Sequence, residues 1–432
     1  MSGKDALTLT RLLLGDDPYQ PRPGQTLLKA LRNPATKDLV DQALVSYFQA
    51  PHSYTGEDVV EISCHGSPII LRQVIDLLLE LGGRLAGPGE FTLRALASGK
   101  MNLSQAEAIR DLINSQTEVA AQQSLRQLSG ELSARLTPLK DQLVGLIVPL
   151  ESALEFVEDD LPEIEAERIK AALNQLTREI ESLAASFSSG HFLRDGVRVT
   201  LAGRPNTGKS SLFNELLKLD RAIVTELPGT TRDTLTEVVN IRGVPVVLTD
   251  TAGVRESSNR VESIGVERTR RAMADADLLL VVVDGAADLT TDDLEFLRLT
   301  SAQRRVIALN KLDLPTFGDR IKSDLAADSR VVKVSARNNE GLDELREAIL
   351  EPFVSTSNSE GGLLITDARH YDLLCRTRAE LESASIAIEV GASEELVLVG
   401  LHNALRFLGE ITGETTAEDV LSRIFSTFCI GK

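Results

Sequence analysis

The 432-residue chain has no tryptophan, four tyrosines, three cysteines, and 46 basic against 64 acidic residues. Each scarcity excludes something. At a formal net charge of −18 the surface as a whole is no nucleic-acid footprint, because phosphate contacts need clustered Lys and Arg. A local basic patch or a basic partner remains compatible with that charge. Cys64, Cys375 and Cys429 lie too far apart for a disulfide framework or zinc-ligand spacing, which points to a reducing compartment. The chain carries no run of about 18 apolar residues and no signal-peptide core, so a cytoplasmic protein without membrane association is expected. The ending Cys429-Ile430-Gly431-Lys432 fits a prenylation box poorly, because its last residue is lysine.

What is present reads as globular: 42% apolar and 25% charged residues, over a length that implies roughly two to four domains. Residues 1 to about 98 read as mixed α/β, with helices over Asp5–Leu14 and Pro68–Leu81 and strands over Ala43–Phe48 and Asp58–Ser63. Gly87-Pro88-Gly89 marks a loop. From Leu103 to about Leu183 the pattern turns helical, and Leu132, Leu136, Leu139 and Leu143 form a stripe that suits a bundle core better than a cofactor box. Pro138 and Pro149 are expected to end or kink helices, and Asp159-Asp160-Leu161-Pro162 to form a joint. The helical pattern resumes over Glu163–Phe187, and Ser188-Ser189-Gly190 opens a polar hinge.

Beyond it, apolar runs at Val197–Ala202, Val244–Leu248, Leu278–Val283, Val306–Leu309 and Val331–Val334 alternate with helical segments, the pattern of a mostly parallel sheet. Ser355–Gly362 reads as a linker. Helical sequence then returns, with apolar Leu373, Leu374, Leu381, Ile386, Leu396, Val397 and Val399. The economical arrangement packs this tail on the 103–187 helices, so that the sheet domain is an insertion.

The chain is organised around Gly203-Arg204-Pro205-Asn206-Thr207-Gly208-Lys209-Ser210, which follows an apolar strand and opens a helix. That context is the one a phosphate-binding loop requires: glycines let backbone N–H groups close on phosphate oxygens, and the helix N-terminus adds positive potential. Lys209 would reach the β- and γ-phosphates, and the Ser210 hydroxyl would hold Mg²⁺. Asp250-Thr251-Ala252-Gly253 ends a strand, where a carboxylate can hold Mg²⁺ through water and the Gly253 N–H can sense the γ-phosphate. In Gly229-Thr230-Thr231, Thr231 can offer a Mg²⁺-binding hydroxyl.

Asn310-Lys311-Leu312-Asp313 ends a later strand, and the Asp313 carboxylate can accept hydrogen bonds from the N1–H and 2-amino edge of guanine. Adenine lacks those donors, and a site built to make such bonds rejects it. Ser335-Ala336, with Arg337 beside them, would support the base. Val254 is apolar and cannot orient an attacking water, so another group must. Arg255, Glu256, Arg260, Glu262 and Glu267 are the charged candidates, and residue physics does not choose among them.

The runs Gly203–Ser211, Thr225–Asp233 and Asp250–Gly253 resemble the translation-associated GTPases. The ending Gly409–Glu414 … Arg423–Lys432, together with Ser53–Asp58 and Pro88–Thr92, narrows the resemblance to the tRNA-modification GTPase family MnmE (TrmE), over nearly the whole chain. The resemblance implies a multi-domain fold: an α+β N-terminal tetrahydrofolate-binding domain (1–98), a discontinuous all-α helical domain (99–195 and 355–432), and an inserted α/β P-loop G domain (196–354). It implies a K⁺-dependent GTP hydrolase that works as a homodimer, in a heterotetramer with the FAD-dependent partner MnmG. Together they add an aminomethyl or carboxymethylaminomethyl group at C5 of the wobble uridine of certain tRNAs, using 5-formyl- or 5,10-methylene-tetrahydrofolate.

By matched position, the GTP-binding set is Asn206, Thr207, Gly208, Lys209, Ser210, Ser211, Thr225, Thr230, Thr231, Asp250, Thr251, Ala252, Gly253, Asn310, Lys311, Asp313, Ser335, Ala336 and Arg337. Asn206, Thr225, Leu227 and Thr230 would hold K⁺, which suits a cage of oxygen dipoles. Glu262 matches the water-orienting residue, and Glu61, Lys100 and Lys432 match folate ligands. Cys429 would act as a thiol in the modification, although residue chemistry alone equally allows a buried inert cysteine. Met1-Ser2-Gly3 begins where the family's Ile-Arg-x-Ser-Gly segment ends, so the reading frame is expected to be shortened and to lack that folate-binding arginine. A different function, a ribosome-assembly GTPase switch with RNA-binding flanking domains, requires a basic module that the acidic composition disfavours. A folate-binding scaffold with a vestigial G domain is disfavoured by the intact Lys209, Ser210 and Asp313.

Overall fold

The structure, a computed structural model, describes residues 1–15, 19–155, 163–220, 235–250, 272–318, 329–353, 362–414, 421, 424–428 and 431. In chain order its elements are α1 (Ala6–Leu14), β1 (Thr26–Arg32), β2 (Leu39–Phe48), β3 (Val59–Ser63), α2 (Pro68–Glu80), α3 (Glu90–Ala97), α4 (Leu103–Asn114), α5 (Glu118–Leu128), α6 (Glu131–Glu155), α7 (Glu163–Ala185) and α8 (Phe187–Asp195). They continue with β4 (Val197–Ala202), α9 (Lys209–Asp220), β5 (Leu235–Ile241), β6 (Val244–Asp250), β7 (Leu278–Asp284), α10 (Thr291–Leu299), β8 (Arg305–Asn310), β9 (Arg330–Lys333), α11 (Leu342–Leu350), α12 (Ala368–Glu389) and α13 (Glu394–Thr412). Two compact units result, one of Met1–Arg110, Leu128–Ala134 and Gly409–Lys432, the other of Asp111–Gln127 and Arg135–Leu408.

In the first unit β1, β2 and β3 form an antiparallel sheet in that order. Strand β2 alternates cleanly: Asp41, Ala43, Val45 and Tyr47 are buried, so its period of two turns one face onto a core with Leu13, Tyr19, Leu31 and Val60. Strand β1 escapes a sequence reading because Thr-Leu-Leu-Lys-Ala-Leu-Arg carries no such alternation and favours helix by propensity; its pairing with β2 overrides that preference. Helix α2 starts on an extended Ser67 with Pro68 in its first turn and stops before Gly82-Gly83, as the sequence suggests.

In the second unit the six-stranded sheet runs β5-β6-β4-β7-β8-β9, parallel except for the antiparallel β5–β6 pair. The strand β7, Leu-Leu-Leu-Val-Val-Val-Asp, is apolar at every position but the last, as a strand covered on both faces must be. Its alternate residues divide between two cores, Leu278, Leu280 and Val282 in one and Leu279, Val281 and Val283 in the other. Within this sheet, β5 is the strand the sequence reading omitted.

Neither proline ends a helix, and the expected hinge is not one. Helix α6 runs on through both Pro138 and Pro149. Each internal proline costs about 3 kcal/mol. Burial of Leu136, Leu139, Leu143, Ile147 and Leu150 offsets this, at about 1.5–3 kcal/mol per side chain. The expected hinge Ser188-Ser189-Gly190 lies inside α8, with Ser189 and Gly190 buried. A Cβ on Gly190 would come within 2.2 Å of the Ile365 carbonyl, so that glycine serves close packing rather than bending. The joint at 159–162 and most of the 355–362 linker lie outside the described residues.

The tail meets the earlier helices as the sequence suggests. Helix α12 packs on α7, Lys170 pairs with Glu389 at 2.7 Å, and His402 Nε2 lies 2.9 Å from Glu151. Leu373, Leu374, Leu381 and Val397 are buried, whereas Ile386, Leu396 and Val399 are exposed.

Candidate nucleotide site

The loop between β4 and α9 is built by its own side chains. The Arg204 carbonyl accepts from the Thr207 hydroxyl at 3.0 Å and from the Lys209 ammonium at 2.6 Å. The Arg204 guanidinium donates to Asp293 at 2.7 Å, and Asp293 also closes the capping box of α10 with Thr290. The sheet therefore holds one end of the loop and a helix start holds its crest. Gly208 has φ +94°, and a Cβ there would meet Asn310 Nδ2 at 2.2 Å, so only glycine fits. Asn206 is exposed at φ +64°, the left-handed region that asparagine tolerates better than most non-glycine residues.

At the end of β6 the buried Asp250 accepts from the Ser210 hydroxyl at 2.9 Å. A hydroxyl and a carboxylate are the hard oxygen donors that Mg²⁺ prefers, so this pair fits that ion. Among the described residues no group of three or more His, Cys, Asp or Glu could hold a metal.

The Asn310–Asp313 motif is joined to this loop. Buried Asn310 donates from Nδ2 to the Thr207 carbonyl at 2.9 Å and accepts at Oδ1 from the Ala336 N–H at 3.1 Å. One amide thus ties phosphate loop, β8 and the 335–337 turn together. The Ser335 hydroxyl donates to Asp313 Oδ1 at 2.7 Å, fixing the carboxylate. Lys311, at φ +73°, reaches Asp284 Oδ2 at 2.6 Å. An open cleft of about 840 Å³ brings Ser211 to the same cavity wall as Ala336 and Arg337, with Asn214, Lys218 and Glu237 around them.

Sequence reading missed Arg204, Asp284 and Asp293 as supports. Asp284 carried a signal, since like Asp250 it is a carboxylate that ends an apolar strand; Arg204 and Asp293 are 89 residues apart and carried none.

Of the expected folate ligands, Glu61 and Lys100 are exposed on the first unit. Gly56, at φ +80°, leaves room beside the lysine: a Cβ there would lie 2.8 Å from Ser98 Oγ and 3.6 Å from Lys100 Cε. The segments Ser53–Asp58 and Pro88–Thr92 meet, through Tyr54 Oη and Thr92 Oγ1 at 2.8 Å and through Arg94, which donates to Glu57 at 2.8 Å and to Glu90 at 2.5 Å. Glu90 also receives Arg84. That hydrogen bond, over the opposing effect of burial and with help from the Gly87 N–H and Arg94, holds the Glu90 carboxyl down at about 2. The Ser2 hydroxyl, then Arg94, lowers the Glu57 carboxyl. Thr225, Leu227, Thr230, Thr231, Thr251, Ala252, Gly253, Glu262, Cys429 and Lys432 lie outside the described residues.

A mostly parallel sheet whose first strand leads through the Gly203–Ser210 loop into a helix, and whose later strand end carries a clasped Asn-Lys-x-Asp motif, defines a P-loop G domain. Two family models match: the GTP-binding protein TrmE N-terminus over residues 1–100 and the MnmE helical domain over residues 103–429. The tRNA modification GTPase MnmE of Koribacter versatilis is 44% identical across 100% of this chain and 95% of its own length. That of Aquifex aeolicus is 43% identical across 91% of this chain and 87% of its own. Among solved structures, the G domain of the T. maritima FeoB iron transporter is 31% identical over 36% of this chain and 97% of that one, at a TM-score of 0.29. The chain belongs to the tRNA modification GTPase MnmE family.

Proposed function

We propose that this chain hydrolyses GTP to GDP and phosphate and that this reaction serves modification of tRNA. The observation that carries the reading is the Asn310 clasp, which couples the phosphate loop at Thr207 to the base-selecting turn at Ala336. A nucleotide whose base satisfies Asp313 is then registered with its phosphates against Lys209.

In the reaction, water attacks the γ-phosphorus, the β–γ bridging P–O bond breaks, and GDP leaves with the bonding electrons; one water proton stays on the new P–OH and the other passes to a phosphate oxygen of the product. Lys209 neutralises charge growing on the β- and γ-oxygens. Asp313 and Ser335 select guanine, and Glu262 orients the water. Ser210 with Asp250 and Thr231 would hold Mg²⁺, which supplies further neutralisation of phosphate charge when bound. Asn206, Thr225, Leu227 and Thr230 would hold K⁺, which would supply positive charge of the kind other GTPases take from an arginine.

The finer reading is a cytoplasmic homodimer that acts with the FAD-dependent MnmG subunit on C5 of the wobble uridine. Glu61, Lys100 and Lys432 bind the tetrahydrofolate one-carbon donor, and Cys429 serves as a thiol. The domain boundaries at 98, 195 and 354 belong to the same proposal. No described helix is long and apolar enough to cross a membrane.

The test is phosphate release from GTP in KCl against NaCl, with ATP as control. Faster turnover in KCl and no use of ATP are expected. Equal rates in both salts reject the K⁺ role, and equal use of ATP rejects guanine selection.

A further inference from the structure

Helix α5 touches the nucleotide-binding sheet at the end remote from the phosphate loop. Strands β5 and β6 are joined by the two-residue turn Arg242-Gly243, closed by the Ile241↔Val244 pair. Both turn residues have positive φ, +49° and +87°, the type I′ pattern that suits a tight hairpin. Thr117, just ahead of α5, uses one hydroxyl twice: it accepts from the Ala120 N–H at 3.2 Å and donates to the Gly243 carbonyl at 2.7 Å. Val119 sits so close that a Cβ on Gly243 would lie 2.3 Å from its Cγ2. Arg242 pairs with Glu347, and Asn240 Oδ1 accepts from the Gly243 N–H at 2.8 Å, so the turn itself is braced. From this turn β6 runs in unbroken register between β5 and β4 to Asp250, the carboxylate that receives Ser210.

The same helix holds the other connection of the sheet region. Gln123 donates to the Gly362 carbonyl at 3.0 Å and accepts from the Leu364 N–H at 3.2 Å. The segment after it holds α8, through Ile365 N–H to Ser186 Oγ at 3.0 Å and Arg194 to Asp367 at 2.5 Å. Helix α8 leads directly into β4 and the phosphate loop.

We propose that α5 is the relay between the nucleotide site and the helices, and that Thr117 and Gly243 are positioning residues acting on Asp250 through β6. A strand bonded on both edges moves only with its neighbours, whereas the turn meets α5 through one hydroxyl and one methyl-to-backbone contact. A shift of Asp250 with the state of the γ-phosphate is therefore absorbed where β6 begins, at the cap of α5. Coupling of this kind is reciprocal, so whatever holds α5 also tunes the nucleotide site. The proposal rests on the GTP-hydrolysis reading.

The test uses the full chain. Amide hydrogen exchange over residues 118–127 is measured without nucleotide, with GDP, and with a non-hydrolysable GTP analogue, beside fluorescent-GDP affinity and GTP turnover. Exchange in α5 is expected to differ between the GDP and GTP-analogue states. In Thr117→Val that difference disappears, and turnover at saturating GTP changes by about two- to tenfold, the range one net hydrogen bond supplies, while GDP affinity holds within about twofold. Thr117→Ser keeps the hydroxyl and restores both readouts, which a merely structural role would not require. Failure of fluorescent GDP to bind the wild type overturns the nucleotide reading and the relay with it. Binding with α5 exchange indifferent to the γ-phosphate overturns the relay alone. The wild-type measurement decides even where the valine variant does not fold.

Discussion

The nucleotide site and the candidate folate residues are organised in opposite ways. In the candidate nucleotide site, the motif side chains hold one another. Asn310 bridges Thr207 and Ala336, Ser335 fixes Asp313, and Asp284 receives Lys311. Asp250 and Asn310 are buried, so their polar atoms are committed to partners before a ligand arrives. On the first unit, Glu61 and Lys100 are exposed charges, while the tightly bonded carboxylates are Glu57 and Glu90, which pair with Arg94 and Arg84. Preorganisation therefore resides in the motif residues of one region and, in the other, in residues beside the proposed ligands. A prebuilt site loses much when one member is removed; exposed charges lose little.

The largest expected effect breaks the comparison at its strong end. Lys209→Ala should lower phosphate release from GTP by about a hundredfold or more, since it removes the charge placed on the transferring phosphate. A loss of less than tenfold would mean that the prebuilt loop is not where the chemistry occurs. Next, Asp313→Asn removes an acceptor of two charge-assisted hydrogen bonds at about 1.5–3 kcal/mol each, so GTP affinity should fall about a hundredfold or more. Xanthosine triphosphate, with a carbonyl in place of the 2-amino group, should recover much of that loss, as read by displacement of a fluorescent nucleotide. Unchanged preference for GTP would count against Asp313 as the selector.

The smallest effect sharpens the scaffold side. Glu90 has its folded-state value lowered from 4.5 to about 2, chiefly by Arg84. A depressed carboxyl contributes stability that is fully present above the unfolded value and is lost as pH falls through the folded one. Thermal unfolding followed by circular dichroism should thus show a decline from about pH 4.5 toward pH 2, shallower in Glu90→Gln. Identical slopes would remove Glu90 from the scaffold.

The legibility of the two regions follows the same division. The phosphate loop was readable because its chemistry is local: strand, glycine turn, Lys209 and helix start are consecutive residues. The central strands were readable because burial on both faces demands continuous apolar runs, as in β7. Strand β1 was not, since its pattern contradicts its pairing, and neither was the continuation of α6 through two prolines whose cost is offset by five buried neighbours along the same helix. The hinge at Ser188-Ser189-Gly190 looked polar and flexible, but the meaning of Gly190 lies in the Ile365 carbonyl far along the chain.

By itself, then, the order of residues determined the G-domain class, the nucleotide motifs and the helical character of the flanking segments, because those depend on neighbours within a few residues. Only the tertiary structure decided that Asn310 fastens to Thr207 across 103 positions and Thr117 to Gly243 across 126. Contacts of such separation leave no periodic trace; they exist because packing of the sheet and helices brings distant donors and acceptors together where water is excluded and each must find a partner.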